Sequence, residues 1–295
     1  VERYGEQQLD QLALELEASD QFRVLRRLTP RPVINPPDGS QTRVGVFVDV
    51  ETTGLDSSND EVIELAMVPF TFGLDGRIFE VQKPFQQLSE PKRSLSEEVQ
   101  QLTGLTKSKL AGQRIDLFEV GDFASQADLV VAHHAQFDRP FLERLSPVFQ
   151  QKPWACSMSQ IGWRGFGYES TKLDYLAFKC GFFFDGHRAA FDCFAGIELL
   201  ASGVGESTGM AHLLSGALST GWRIAVAGSP FEANAELRER GYKWVPKGAM
   251  AKRCWEIEVD DGGKNGELEF LSHARFKSAA VQVDRVSPFE RFSLR

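Results

Sequence analysis

The sequence predicts an α/β protein: a mixed five-stranded sheet flanked by helices, followed by a small C-terminal α+β unit. Three observations point there. The run VGVFVDVE at 44–51 is β-branched and apolar, as a strand covered on both faces must be. The runs VIELAMVPFTF (62–72) and RIFEVQKPF (77–85) are joined by a Gly-Leu-Asp-Gly turn and read as an antiparallel hairpin. From residue 128 onward short strands alternate with helices, which marks parallel strands.

The elements follow in order. Leu9, Leu12, Leu16, Val24, Leu25 and Leu28 recur at helical spacing and predict a helix over 6–28. Within it, QLALE (11–15) faintly resembles a sliding-clamp peptide, but Glu15 spoils the pattern and an amphipathic helix is the better reading. TPRPVINPPDGS (29–40) holds prolines that cannot continue a helix, so it is a linker or a strap lying on the next domain. Helices are predicted at 95–103 and 116–126, then a strand at 128–134 (DLVVAHH), a helix at 138–149 and a short strand in WACSM (154–158). Two more helices run over 170–180 and 188–202. GVGESTG (203–209) reads as a domain boundary. Beyond it come a strand (WRIAVAG), a helix stopped by Gly241, a strand (KRCWEIEVDD), a turn (DGGKNGE, 261–267) and a helix (LEFLSHARF, 268–276). The expected division is 1–43 as helix and linker, 44–203 as the main domain, and 210–295 as the small unit.

Composition narrows the function classes. With 295 residues, 42% hydrophobic and 25% charged, the chain is of ordinary globular type and can bury a core without staples. A net charge of −8 counts against extensive nucleic-acid binding but not against a small footprint assisted by metal ions. The four cysteines, Cys156, Cys180, Cys193 and Cys254, have no zinc spacing and suit a reducing compartment. No signal peptide and no membrane-length apolar run is visible, so a cytoplasmic protein without membrane partners is expected.

Chemistry concentrates in three motifs. VFVDVETTGL (46–55) carries Asp49 and Glu51, two apart on a strand and therefore on one face. AHHAQFDRPFLE (132–143) carries Asp138 beyond a strand, where it can also be a helix-capping residue. HRAAFDC (187–193) carries His187 and Asp192, five apart on one expected helix. Clustered carboxylates repel unless hard cations neutralise them, and a pair of such cations suits phosphodiester hydrolysis. A histidine titrating near neutrality suits a general base. His133 and His134 compete for that role.

Together the motifs resemble the DEDD superfamily of 3′→5′ exonucleases, histidine subclass, whose relatives include the polymerase III epsilon subunit and its stand-alone homologues. DVETTGL matches the first family motif without a gap. HAQFDRPFL matches the second with His134 where asparagine is usual, and HRAAFDC matches the third with Cys193 as its small last residue. The position four before Asp192, tyrosine in the sister subclass, is Arg188 here. The resemblance covers about 44–202 and implies a ribonuclease H-like fold. It implies that Asp49, Glu51, Asp138 and Asp192 hold two Mg²⁺ or Mn²⁺ ions and that His187 deprotonates the attacking water. It implies that Thr52, Thr53 and Leu55 meet the terminal nucleotide. Phe137 is expected to pack or to stack. The implied substrate is a nucleic acid with a free 3′ end, expected to be single-stranded DNA, released as nucleoside 5′-monophosphates. An RNA exonuclease, or a proofreading or scaffolding subunit partnered by a polymerase, are the alternatives. In the small unit, Arg238, Arg240, Lys243, Lys247, Lys252 and Arg253 interleave with Tyr242, Trp244 and Trp255, which suits single-stranded nucleic acid or simply an aromatic core.

Overall fold

The computed structural model describes residues 5–245, 250 and 253–294. Its central strand β1 (Thr42–Thr52) pairs antiparallel with β2 (Val62–Gly73), in register from Thr42 opposite Gly73 to Glu51 opposite Glu64. β3 (Ile78–Val81) and β4 (Phe85–Leu88) pair in turn with the two halves of β2. Pro84 lies between them, so they fill one strand position in succession. On the other side β1 runs parallel to β5 (Leu129–Ala132), which runs parallel to β6 (Trp154–Cys156). The sheet therefore has the five positions and mixed directions of a ribonuclease H-like fold.

Val46, Phe47 and Val48 are all buried because helices cover both faces. Alternate side chains sort into two cores. Phe47, Val68, Phe70 and Val131 pack beneath α5 (Leu173–Lys179) and α6 (Ala189–Ala201). Val46, Val48, Leu65 and Val130 pack beneath α3 (Leu117–Ser125) and α4 (Ala135–Leu145). A β-carbon at Gly196 of α6 would come 2.1 Å from the Phe47 ring, so only glycine lets α6 lie this close to β1. A shorter helix, α2 (Glu97–Thr103), is capped by Ser96 and flanks the β4 end of the sheet.

Several boundaries differ from expectation. The first helix, α1, spans Glu6–Glu17 and stops well short of residue 28, because Ser19 turns the chain by accepting from the Gln21 amide. Arg26–Arg27 instead pair in parallel with Phe182–Phe183, and Arg23 donates at 2.7 Å to the Phe178 and Lys179 carbonyls at the end of α5. The proline-rich segment is a strap: Ile34 N donates to Phe79 O at 2.8 Å and Val81 N to Pro32 O at 2.9 Å. The second motif's helix runs Ala135–Leu145, and Pro147 opens a separate 3₁₀ turn to Gln150.

After α6, α7 (Gly209–Ala217) packs Met210, Leu213 and Ala217 into the same core as Phe47. The remaining chain forms a second, antiparallel sheet of β7 (Gly221–Ala227), β8 (Lys243–Val245), β9 (Cys254–Val259) and β10 (Ala280–Val286), in the order β8-β9-β7-β10. With α8 (Asn234–Glu239) and α9 (Asp261–Leu271) this is a β-α-β-β-α-β unit around Ile224, Val226, Leu237, Trp255 and Phe276. The turn expected at 261–267 is the first part of α9. Asp260 caps it by accepting from Gly263 N at 2.8 Å, and the cap prevails over the glycines. The helix expected at 268–276 ends at Leu271, followed by a 3₁₀ turn. Beyond β10 the chain returns to the first unit. Pro288 O accepts from Trp154 N at 2.9 Å, and the buried Arg139 of α4 donates to Arg291 O at 2.7 Å and Phe289 O at 2.5 Å. Among the described residues no helix is long and apolar enough to cross a membrane.

Candidate active site

The C-terminal end of β1 is where the sheet stops being apolar. Strand alternation sends Asp49 and Glu51 to the face covered by α6, and Asp192 in the first turn of α6 meets them there. One oxygen from each of Asp49, Glu51 and Asp192 lies within 4.8 Å of the others. Asp138 arrives from the opposite layer. It sits in the first turn of α4 and accepts from Val50 N at 3.3 Å, which pins α4 to the end of β1.

This neighbourhood is hostile to negative charge. Burial, then Asp192, Asp138, Glu51 and Glu64, push the Asp49 carboxyl well above the usual range. Burial, reinforced by neighbouring carboxylates, raises Glu51 to about 8 and Asp138 to about 8. Asp192 rises to about 7, mainly through burial, against the amides of Arg188 and His187 that favour its charged form. Clustered carboxylate oxygens that cannot all ionise alone form a donor set suited to a hard divalent cation.

Sequence reasoning missed Glu64. It faces Glu51 across the β1–β2 ladder and is fully buried. Its carboxylate accepts from Arg188 Nη2 at 3.1 Å, Arg188 Nε at 3.2 Å, Gln86 Nε2 at 2.5 Å and Ala189 N at 3.4 Å. The available signal was a lone carboxylate inside the apolar run VIELAMVPF.

His187 is placed differently from expectation. It precedes α6 in an exposed bend with φ of 61°, and Arg188 is the N-cap. Asp192 stays on the helix and accepts from Arg188 N at 3.0 Å. That capping bond ends the helix before His187, so the two residues do not share it.

The other candidates have mixed placements. Thr52 is buried and its hydroxyl donates to Gly54 O at 2.6 Å, while the Thr53 hydroxyl donates to Asp60 Oδ1 at 3.1 Å. A β-carbon at Gly54 would sit 2.5 Å from Asp60, so glycine admits this packed loop. Arg144 of α4 holds the Ser57 and Asp60 carbonyls. Leu55 stands out from the loop at 86% exposure. His133 is buried against Ser157 and Thr171, with its pKa lowered to about 4 by burial, so it is a neutral structural group. His134 is the N-cap of α4, and its pKa is lowered by desolvation and by Lys243. Phe137 packs on Phe141 with ring centroids 5.1 Å apart. Of the basic residues in the small unit, Arg240 pairs with Glu267 at 2.7 Å, and Lys247 and Lys252 lie outside the described residues.

A ribonuclease H-like sheet that gathers half-buried and buried carboxylates at the end of its first long strand defines a domain of the exonuclease class. Residues 46–200, just over half of the chain, match the RNase_T family model, described as exonuclease, and the chain belongs to that divalent-metal-dependent family. Among similar proteins, the PolC-type DNA polymerase III of Bacillus subtilis (strain 168) is 33% identical over 165 residues, covering 52% of this chain and 11% of that protein. The DNA polymerase III subunit epsilon of Treponema pallidum (strain Nichols) is 29% identical over 163 residues, covering 52% of this chain and 73% of that protein. The fold also resembles E. coli exonuclease I in complex with a dT13 oligonucleotide, with a TM-score of 0.50 and 13% identity, covering 84% of this chain and 64% of that one.

Proposed function

We propose that the chain removes nucleoside 5′-monophosphates from the 3′ end of single-stranded DNA with two Mg²⁺ or Mn²⁺ ions, and that it works in the cytoplasm. The observation that carries this is the set of clustered, largely desolvated carboxylates that resist ionisation together, within a domain of the exonuclease family. Asp49, Glu51, Asp138 and Asp192 hold the ions. Bound there, the ions supply a lowered pKa for the attacking water and neutralise charge on the leaving oxygen. His187, exposed at the rim, accepts the proton of that water at its imidazole nitrogen. Glu64 is a positioning residue. By fixing Arg188 and the Ala189 amide it holds the bend that presents His187. Leu55 and the loop of Thr52 and Thr53 border the terminal nucleotide.

The catalytic unit is proposed to extend through Ala217, since α7 shares its core, with 221–286 as the second unit. A second reading, a proofreading subunit bound to a polymerase, is favoured by the names of the relatives. One experiment tests the substrate. Matched single-stranded, duplex, mismatched and RNA oligonucleotides are digested with manganese, and single-stranded DNA is expected to be shortened fastest. Preferential digestion of RNA would replace this reading with the RNA alternative.

A further inference from the structure

The C-terminal unit leaves two large aromatic rings outside its core. Phe231 is 84% exposed and Trp244 51%, although Ile224, Leu237 and Trp255 beside them are buried. Both rings line a cleft of about 350 Å³ between β8 and the start of α8, together with Asn234, Arg238 and Trp255. That volume falls in the ~300–1,000 Å³ range of sites for small organic groups. The cleft is braced. Trp255 donates from Nε1 to Asn234 Oδ1 at 3.2 Å, and Trp244 rests edgewise on Trp255 with centroids 5.3 Å apart. Arg238 lies 5.3 Å over the Trp255 ring and, among the described residues, has no carboxylate partner.

We propose that this cleft is a stacking subsite for a base of the single-stranded DNA that trails from the active site. Among the described residues its walls are flat π-faces and a guanidinium without a carboxylate partner, and no aliphatic side chain lines it to anchor a peptide. Aromatic rings with a nearby cation are what hold bases without regard to sequence. The unit that carries the cleft is fixed to α4, the helix of Asp138, because the buried Arg139 donates to Arg291 O and Phe289 O beyond β10. In a chain of net charge −8, Arg238, which has no carboxylate partner among the described residues, marks a place where a polyanion is tolerated.

The inference rests on the exonuclease reading, and its test separates the two. Full-length wild type, Trp244→Ala, Trp244→Phe and Phe231→Ala are compared on oligo-dT strands of about 20 and about 3 nucleotides. Trp244→Ala should raise KM for the long strand roughly 10-fold with kcat unchanged, as loss of one stacked base implies. Trp244→Phe should restore most of it, Phe231→Ala should shift KM in the same direction, and KM for the short strand should be alike in all four. Anisotropy of the labelled long strand in chelator should show the same order of affinities without any chemistry. Wild type that binds the long strand more tightly than Trp244→Ala yet cleaves nothing would sink the exonuclease reading and keep the subsite. An unchanged long-strand KM and affinity in both alanine variants, or an equal rise on both lengths, would overturn the subsite.

Discussion

At the C-terminal end of β1 the protein draws carboxylates together out of most of their water, and beside β8 it exposes an indole and a phenyl ring. Both places reverse the usual sorting of charge to water and apolar surface to the core. The reversals differ in cost. Half-buried Asp49, Glu51 and Asp192 and buried Asp138 each resist ionisation, so repulsion among their charges works against the fold. Exposed Phe231 and Trp244 forgo burial and carry no such strain. The comparison teaches that the first site is a stored electrostatic demand, and the second is an uncommitted adhesive surface. Substitutions at the first should therefore change chemistry and metal response together, whereas those at the second should change affinity alone.

The largest effect is expected at the carboxylates. Asp49→Ala or Asp192→Ala should abolish turnover and the rise in melting temperature that manganese gives the wild type, and should raise the metal-free melting temperature at pH 8 by relieving repulsion. Calorimetric scans with and without chelator check this. A metal-free variant less stable than wild type at that pH would contradict the stored-strain account. Next comes His187→Ala, expected to lose about 100-fold in kcat while keeping the manganese-induced stabilisation. Loss of that stabilisation would make His187 a ligand and not a base.

Glu64→Gln should fall between the two regions in kind. It strips the buried anion from Arg188, which is itself partly solvated, so about 1–3 kcal/mol of stability should be lost. Turnover should drop roughly 10-fold with little change in KM, as expected of a residue acting through the bend at His187. A rise in KM with unchanged kcat would move Arg188 and Glu64 to substrate binding.

The smallest effect is one of pH. The folded carboxylates have pKa values raised above their ordinary range, so without metal the folded protein binds more protons than the unfolded chain. The stability this gives is fully present below about pH 4 and is lost as pH rises through the folded values of about 7 for Asp192 and about 8 for Glu51 and Asp138. In chelator the melting temperature should fall from pH 5 to pH 8 by a few degrees, and manganese should flatten the slope. The same slope with and without manganese would leave the strain outside the metal site.

The two regions were not equally legible. Asp49 and Glu51 announced themselves because two carboxylates at period two in an apolar strand violate burial, and that signal is local. Glu64 carries the same violation singly. Its meaning depends on Arg188, 124 residues away, and no local pattern supplies that. The left-handed bend at His187 was hidden because the capping bond of Asp192 decides where α6 begins. In the second unit the glycines of 261–267 read as a turn, yet one capping aspartate outweighed them. The short edge strand Lys243–Val245 has too few residues to show a period at all. The returning tail, with Pro288 on Trp154 and Arg291 on Arg139, is tertiary and has no sequence signature.

In the proposed mechanism the carboxylates at the end of β1 hold divalent cations in place of protons. Titration of the full chain with manganese at pH 7, in buffers of different ionisation enthalpy, tests it most directly, because cations that displace protons from raised carboxyls must release them to the buffer. Binding that shows a buffer-dependent heat equivalent to net proton release, and that disappears in Asp49→Ala, is the result expected. Manganese binding that is independent of buffer and survives Asp49→Ala and Asp192→Ala would contradict it.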